Sequence, residues 1–300
     1  MFLKQLGDMP HANERAVIIN CSTKTVSTLA LLSTLRYAEM PVLLIDCESI
    51  DGSLDHFHSL LDHYSFDLLS APLRGHGDTL DWLFSVIAAD KVLLVDSDVE
   101  ILDSRVFGFL REYIDEPWTF GSGYVNGPTW IDDVPGNALE GAFLQERIWI
   151  PFTLLKVKFI REALTAGISF RARTIYNDFF FSEEVSRRLN EVRSRFPVLQ
   201  GIQTPRILRK AYYGQFPARV YCDTGAEMLQ HLKYERELSY IALPVRFHRG
   251  YVTHFGGLTR VALDQIEGAQ SETRSVDESI RQRLRQIYGV VVDESLSAAR

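Results

Sequence analysis

The sequence predicts an α/β protein, a single Rossmann-type and mostly parallel sheet flanked by helices, with a helical extension at its C-terminal end. Strand-like and helix-like segments alternate through the first third of the chain. The strand-like segments are continuous apolar runs, the pattern of strands covered on both faces. The clearest of them, Lys91-Val-Leu-Leu-Val95, runs directly into two carboxylates, Asp96 and Asp98.

In chain order, Ala16 to Asn20 is a short β-branched run that ends in the polar turn Cys21-Ser22-Thr23. Val26 to Ala38 carries Leu29, Leu32 and Leu35 at helical spacing, and Met40-Pro41 breaks it. Pro41 to Asp46 is a second buried strand, so the three segments form a βαβ unit with a right-handed crossover. The stretch Asp46 to Ser53 is polar and rich in turn formers, and Leu54 to Tyr64 is amphipathic. A third strand is expected around Phe66 to Ala71, then a flexible loop, Arg74-Gly-His-Gly-Asp78, and an apolar helix, Leu80 to Ala89, leading into the central strand.

Side chains at i and i+2 of an extended backbone share a side, so Asp96 and Asp98 are expected to converge just past the strand's carboxyl end. Open α/β sheets bind ligands there. Two like charges held close repel unless a cation or a shared proton intervenes, and oxygen ligands suit a hard divalent ion, Mg or Mn. A metal bridging this pair to a diphosphate is the economical reading. The competing reading has one Asp capping a turn or helix and the other solvated.

Beyond the central strand, Arg105 to Ile114 reads as a helix ended by Asp115-Glu-Pro117. The segment from Trp118 to Trp149 loses periodicity and becomes rich in Gly, Asn, Pro and aromatics, as functional loops do. Trp130 and Trp149 suit either the core or a platform for sugar faces. Pro151 to Leu164 reads as a strand entering a helix, and Asp178 lies at the start of a further helix running towards Val192. Near Phe247 to Gly257 stand His248 and His254 with Arg246, Arg249 and Arg260, whose guanidinium forks suit phosphate oxygens.

The polar stretch Ala262 to Ser275 reads as a linker. Ser275-Val-Asp-Glu278 fits a capping box for a last helix with Ile280, Leu284 and Ile287 on one face and Gly289 as its stop. That helix is expected to pack on the body, form a homodimer or touch a membrane surface, and its mixed charges favour the first two.

The 300 residues are 46% hydrophobic and 24% charged, ordinary for a globular chain able to bury a sizeable core. A formal net charge of −7 argues against a general nucleic-acid binder, since phosphate backbones select clustered Lys and Arg. Cys21, Cys47 and Cys222 show neither zinc-type spacing nor a disulfide framework, and they fit a reducing compartment. No apolar run approaches membrane-spanning length and the start lacks a secretory signal's apolar core, so the expected location is the cytoplasm, with peripheral contact at the inner face of a membrane left open.

The first hundred or so residues resemble the nucleotide-sugar half of GT-A fold glycosyltransferases, family 2 in particular. The second strand of that family ends in an acidic residue and continues into a Ser-x-Asp-Gly-Ser/Thr turn, matched by Asp46 and Ser49-Ile-Asp-Gly-Ser53. Its central strand ends in Asp-x-Asp, matched by Asp96-Ser-Asp98. The family's Ala-Arg-Asn element is absent, and Gly75-His-Gly-Asp78 stands in that region.

The resemblance implies a catalytic domain over residues 1–260, with a nucleotide-sugar half at about 14–105 and an acceptor half at about 106–260, followed by the linker and helix of 261–300. It implies a nucleoside-diphosphate sugar donor, a carbohydrate or glycolipid acceptor, and a Mn or Mg ion. Cys21 and Ser22 would line the nucleotide site, Asp46 would accept from the base, and Asp51 would support its turn or the base. Asp96 would approach the ribose or the metal, Asp98 would ligate the metal, His254 would complete its shell, and Arg249 would neutralise the diphosphate. Asp178 matches the catalytic base of inverting members. For Cys21, Asp51 and Asp178, plain packing, a turn and a helix cap are the competing roles.

Two rivals stand beside this reading. A haloacid-dehalogenase-type Mg-dependent phosphatase would use Asp96 as nucleophile and draw its second acidic pair from Asp132-Asp133, but its motif normally follows the first strand. The other is a non-catalytic sugar-nucleotide-binding protein. A nucleotidyltransferase would be expected to carry a glycine-rich phosphate loop, and Cys21-Ser-Thr-Lys24 has no glycine.

Overall fold

The architecture is that of a computed structural model that describes residues 1–126, 129–131, 142–144, 146–176, 219–243, 250–255 and 270–292. Its strands are β1 (Phe2–Leu3), β2 (Ala12–Asn20), β3 (Val42–Cys47), β4 (Asp67–Ala71), β5 (Ala89–Asp96), β6 (Val99–Ile101) and β7 (Thr119–Asn126). They continue with β8 (Thr129–Ile131), β9 (Ala142–Leu144), β10 (Arg147–Lys156), β11 (Arg173–Tyr176), β12 (Arg219–Cys222), β13 (Ser239–Ala242) and β14 (Val252–His254). The helices are α1 (Lys24–Tyr37), α2 (Ser53–Leu60), α3 (His76–Val86), α4 (Arg105–Arg111), α5 (Val157–Thr165), α6 (Ala226–Gln230) and α7 (Gln270–Arg283).

Eight strands form one sheet in the order β1-β4-β3-β2-β5-β10-β7-β13. Within it β10 runs antiparallel to both of its neighbours, and the remaining neighbours pair in parallel. The apolar runs predicted from sequence are these central strands: Val42 to Cys47 and Val92 to Val95 are buried at every position. Register then aligns their ends. Asn20 faces Asp46, and Ile19 faces Asp96, so β2, β3 and β5 stop along a common edge.

Helices cover both faces. One face holds α3, α5 and α6, where Leu83, Phe84, Ile160 and Leu229 pack on Val17, Leu43 and Leu94. The opposite face holds α1, α2 and α4, with Leu31, Phe57 and Phe107 against Ile18, Leu44 and Val95. This is a three-layer α/β/α arrangement. No helix among the described residues is long and apolar enough to cross a membrane.

The C-terminal helix adds a further layer. Val26, Leu29 and Leu32 of α1 face Ile280, Leu284 and Val292 rather than the sheet, which α1 meets instead through Ala30 and Leu31. The leucine stripe read from sequence is therefore the contact with α7, and α1 is buried on two sides. Gly289 ends this terminal helical segment with a φ of +68°.

Several boundaries differ from the sequence reading. Helix α7 starts at Gln270, so Ser275 lies inside it and not at its cap. The glycine-bearing segment taken as a loop already begins α3 at His76. Part of the segment read as irregular is β7, a strand inside the sheet. Gly121 explains the missed pattern: a Cβ there would meet Leu155 Cδ2 at 2.7 Å and Ile148 Cδ1 at 2.9 Å, so close approach of β10 requires glycine where an apolar side chain would have signalled a strand.

Candidate active site

The apolar side chains of β5 bury the strand between both helical layers and deliver its last residue, Asp96, to the sheet's carboxyl edge. Ser97 and Asp98 form a turn into β6, so the two carboxylates meet through this turn and not through the strand alternation expected from sequence. β14 pairs antiparallel with β6, placing His254 opposite Val99, and the Phe255 amide donates to the Asp98 carbonyl at 2.9 Å. This pairing brings His254 Nε2 to 3.0 Å from Asp98 Oδ1. Trp149 of β10 meets the His254 ring edge-on, centroids 4.6 Å apart, and limits its tilt.

Asp96, Asp98 and His254 each offer one ligand atom, all within 4.8 Å of one another. Asp98 is buried, whereas the Asp96 side chain is 26% exposed and so is open to an arriving ion. Burial pushes the Asp96 carboxyl upward and the like charge of Asp98 adds to it, against the opposing pull of His76 and His254. Burial alone would push the His254 ring down, but its hydrogen bond to Asp98 and the charges of Asp98 and Asp96 outweigh this and raise it. Two acids and an imidazole converging in a recess form an oxygen-rich donor set that suits Mn or Mg. A cation there would offset both the burial and the like charge that hold Asp96 up.

The neighbouring wall is built from the loops after β2 and β3, and it is cross-braced. Asn20 Nδ2 donates to Asp46 Oδ1 at 2.6 Å and to Ser49 Oγ at 2.9 Å, while the Ser49 amide donates to Asp46 Oδ2 at 3.1 Å. The Ser22 amide donates to Ser49 Oγ at 2.8 Å, and Ser22 Oγ accepts from the Ile50 amide at 3.1 Å. Asp51 Oδ2 accepts from the Lys24 amide at 2.9 Å, capping α1, and Oδ1 accepts from the Ser53 amide at 3.1 Å at the start of α2. Asp46 is fully buried and Asp51 half-buried, and both carboxylates brace the loops.

Non-glycine residues in left-handed conformation mark both loops, Ser22 with a φ of 52° and Glu48 with a φ of 47°. Cys21 packs against the apolar cluster that contains Cys47. Burial pushes both thiols up, Cys47 to about 12, which keeps them neutral near physiological pH.

The structure thus brings Asp96, Asp98 and His254 together, with Cys21, Ser22, Asp46 and Asp51 along the same sheet edge. Asp178 and Arg249 lie outside the described residues, as do His248, Arg246, Arg260 and the Asp132-Asp133 pair. His76 was missed by the sequence reading: its Nε2 stands 4.0 Å from Asp96 Oδ1. The available signal was its place after β4, since loops that follow parallel strands all open on the same edge.

No family model matches this sequence, and a search of curated proteins returned no match. Among solved structures, the chain is similar over 51% of its length to mannosyltransferase PcManGT from Pyrobaculum calidifontis in complex with GDP-Man and Mn2+, covering 47% of that chain at 11% identity and a TM-score of 0.40. It is similar over 53% of its length to S. aureus TarS 1-349 in complex with UDP-GlcNAc, covering 48% of that chain at 18% identity and a TM-score of 0.36. A third similarity, over 51% of the chain and 74% of the other, is to 4-diphosphocytidyl-2C-methyl-D-erythritolsynthase from Anaerococcus prevotii, at 12% identity and a TM-score of 0.37. The chain spans about half the length of the first two.

Proposed function

We propose that the protein is a metal-dependent glycosyltransferase of GT-A-like architecture that moves a sugar from a nucleoside-diphosphate donor to a hydroxyl group of a carbohydrate or glycolipid acceptor. The observation that carries this reading is the convergence of Asp96, Asp98 and His254 at the carboxyl edge of the central strand. Their donor atoms fit a hard divalent ion, and Asp98 with His254 would hold it while the more exposed Asp96 meets it from the open side. Mn or Mg bound there would offset the negative charge that grows on the departing diphosphate.

The chain's own residues then divide the work. The braced loops after β2 and β3 form the nucleotide wall, with Cys21 and Ser22 at its base and Ile50, 90% exposed, at its rim. Asp46 and Asp51 act through loop geometry, since their oxygens are already engaged by Asn20, Ser49, Lys24 and Ser53. Arg249 is assigned to the diphosphate on sequence grounds alone, and Asp178 to the acceptor. As the acceptor oxygen bonds to the anomeric carbon and the bond from that carbon to the diphosphate breaks, Asp178 takes the hydroxyl proton, and the reaction inverts configuration.

A thermal-shift panel of UDP, GDP, CDP, ADP and TDP, each with and without Mn, tests the reading. The expected outcome is a Mn-dependent rise in melting temperature with one of the five. No rise with any, together with a rise on adding Mg and beryllium fluoride, would overturn it in favour of a phosphatase. Slow release of free sugar from the donor that binds separates a transferase from a non-catalytic binder.

A further inference from the structure

His76 stands in the site without a role in the scheme above, and its placement is not accidental. It opens α3, an 11-residue helix whose first turn is pressed against the chain at Phe170 and Arg171. A Cβ on Gly77 would lie 2.5 Å from Arg171 Cα and 2.6 Å from the Phe170 carbonyl oxygen, so only glycine permits this approach. Asp81 tightens the clamp by accepting from the Phe170 amide at 2.8 Å and from Ser169 Oγ at 2.5 Å. Arg171 Nε pairs with Asp78 Oδ1 at 2.5 Å, which occupies the other acid of this turn.

The result is a firmly anchored helix start that carries the imidazole of His76 beside Asp96. Its ring is 42% exposed, and the 4.0 Å from Nε2 to Asp96 Oδ1 is too long for a direct hydrogen bond. An exposed ion pair of this length stabilises the fold little. His76 also stands outside the cluster whose ligand atoms fall within 4.8 Å of one another, so it is not placed as a further metal ligand. What fits is a donor next to the carboxylates against which a cation would hold an anion.

We propose that His76 is a binding residue for the diphosphate of the nucleotide, donating from Nε2 to a phosphate oxygen. The assignment rests on the transferase reading, and it is independent of the base and the sugar. Inorganic pyrophosphate is therefore the probe, because it carries the shared chemistry of every candidate donor.

Calorimetric titrations of the wild-type chain, His76→Ala and His76→Gln with MnCl2 alone, and then with Mn-pyrophosphate, test the assignment. Mn alone is expected to bind all three with affinities within about twofold, which also reports that the variants fold. Pyrophosphate affinity is expected to fall roughly tenfold in His76→Ala, the size of one charge-assisted hydrogen bond, and less in His76→Gln, which keeps a donor. Unchanged pyrophosphate affinity in His76→Ala would overturn the assignment. An equal loss for Mn alone would also overturn it, by showing that His76 holds the ion. A wild-type chain that binds no pyrophosphate in the presence of Mn sinks the transferase reading and the assignment together, a result visible before any variant is made.

Discussion

The two edges of the central sheet carry charge in opposite ways. At the amino edge several buried charges meet their opposites: Arg15, 1% exposed, pairs with Asp67 at 2.7 Å, Lys91 with Glu14 at 3.4 Å and Asp115 at 2.8 Å, and Arg111 with Glu14 at 2.8 Å. At the carboxyl edge Asp96 and Asp98 are held against each other, with His254 as the partner of Asp98. Stability is built at one edge, and the unrelieved charge is kept at the other, where a ligand can complete it.

The largest expected separation between the edges comes from Asp98→Ala. Losing a buried ligand should weaken Mn binding by about a hundredfold or more, erasing the Mn-dependent thermal shift with any nucleotide, while the metal-free melting temperature falls far less than in Asp67→Ala, because the lost contact to His254 is offset by relief of Asp96. Asp67→Ala is the mirror case. It leaves the buried Arg15 guanidinium without its carboxylate, which should cost about 3 kcal/mol in urea unfolding and leave Mn affinity within twofold. If Asp67→Ala weakened Mn binding as strongly as Asp98→Ala, the division between the edges would be wrong.

The comparison also explains what the sequence made legible. β3 and β5 were readable because strands covered on both faces are unbroken apolar runs, and the Asp96-Ser-Asp98 step was readable because it ends one of them. β7 was hidden because Gly121 serves a neighbour's close approach and contributes no apolar signal. The true partner of the Leu29, Leu32 and Leu35 stripe was hidden because α7 arrives from the far end of the chain, and local periodicity does not name what it packs against. The bracing roles of Asp46 and Asp51 depend on partners 26 and 27 residues away, a distance over which residue type carries no pairing information. His76 was overlooked between two glycines that looked like a flexible loop and instead let a helix begin against Phe170 and Arg171.

A contact between the terminal helix and the acidic turn gives the next prediction. Arg283 Nη2 lies 2.8 Å from Glu100 Oε1, and Glu100 is 2% exposed on β6, two residues after Asp98 and opposite Thr253 of β14, the strand that carries His254. Arg283→Ala should leave that carboxylate buried and unpaired, at a cost of about 2 kcal/mol, with Mn affinity lowered severalfold because β6 loosens. An unchanged Mn affinity alongside the stability loss would confine α7 to a covering role.

The smallest effect is the most discriminating. Asp96→Asn keeps the shape of the side chain and removes one of the two like charges, together with the burial that penalises it. The metal-free variant should therefore melt higher than wild type, by about 2 °C if relief is near 1 kcal/mol. In Mn the order should reverse, because wild type gains the ion's binding energy and the variant gains little of it. Such a crossover has no explanation if Asp96 merely closes a turn, since removing a structural carboxylate lowers stability with or without metal. A variant that melts lower under both conditions would place Asp96 with Asp67, among the charges that hold the sheet together.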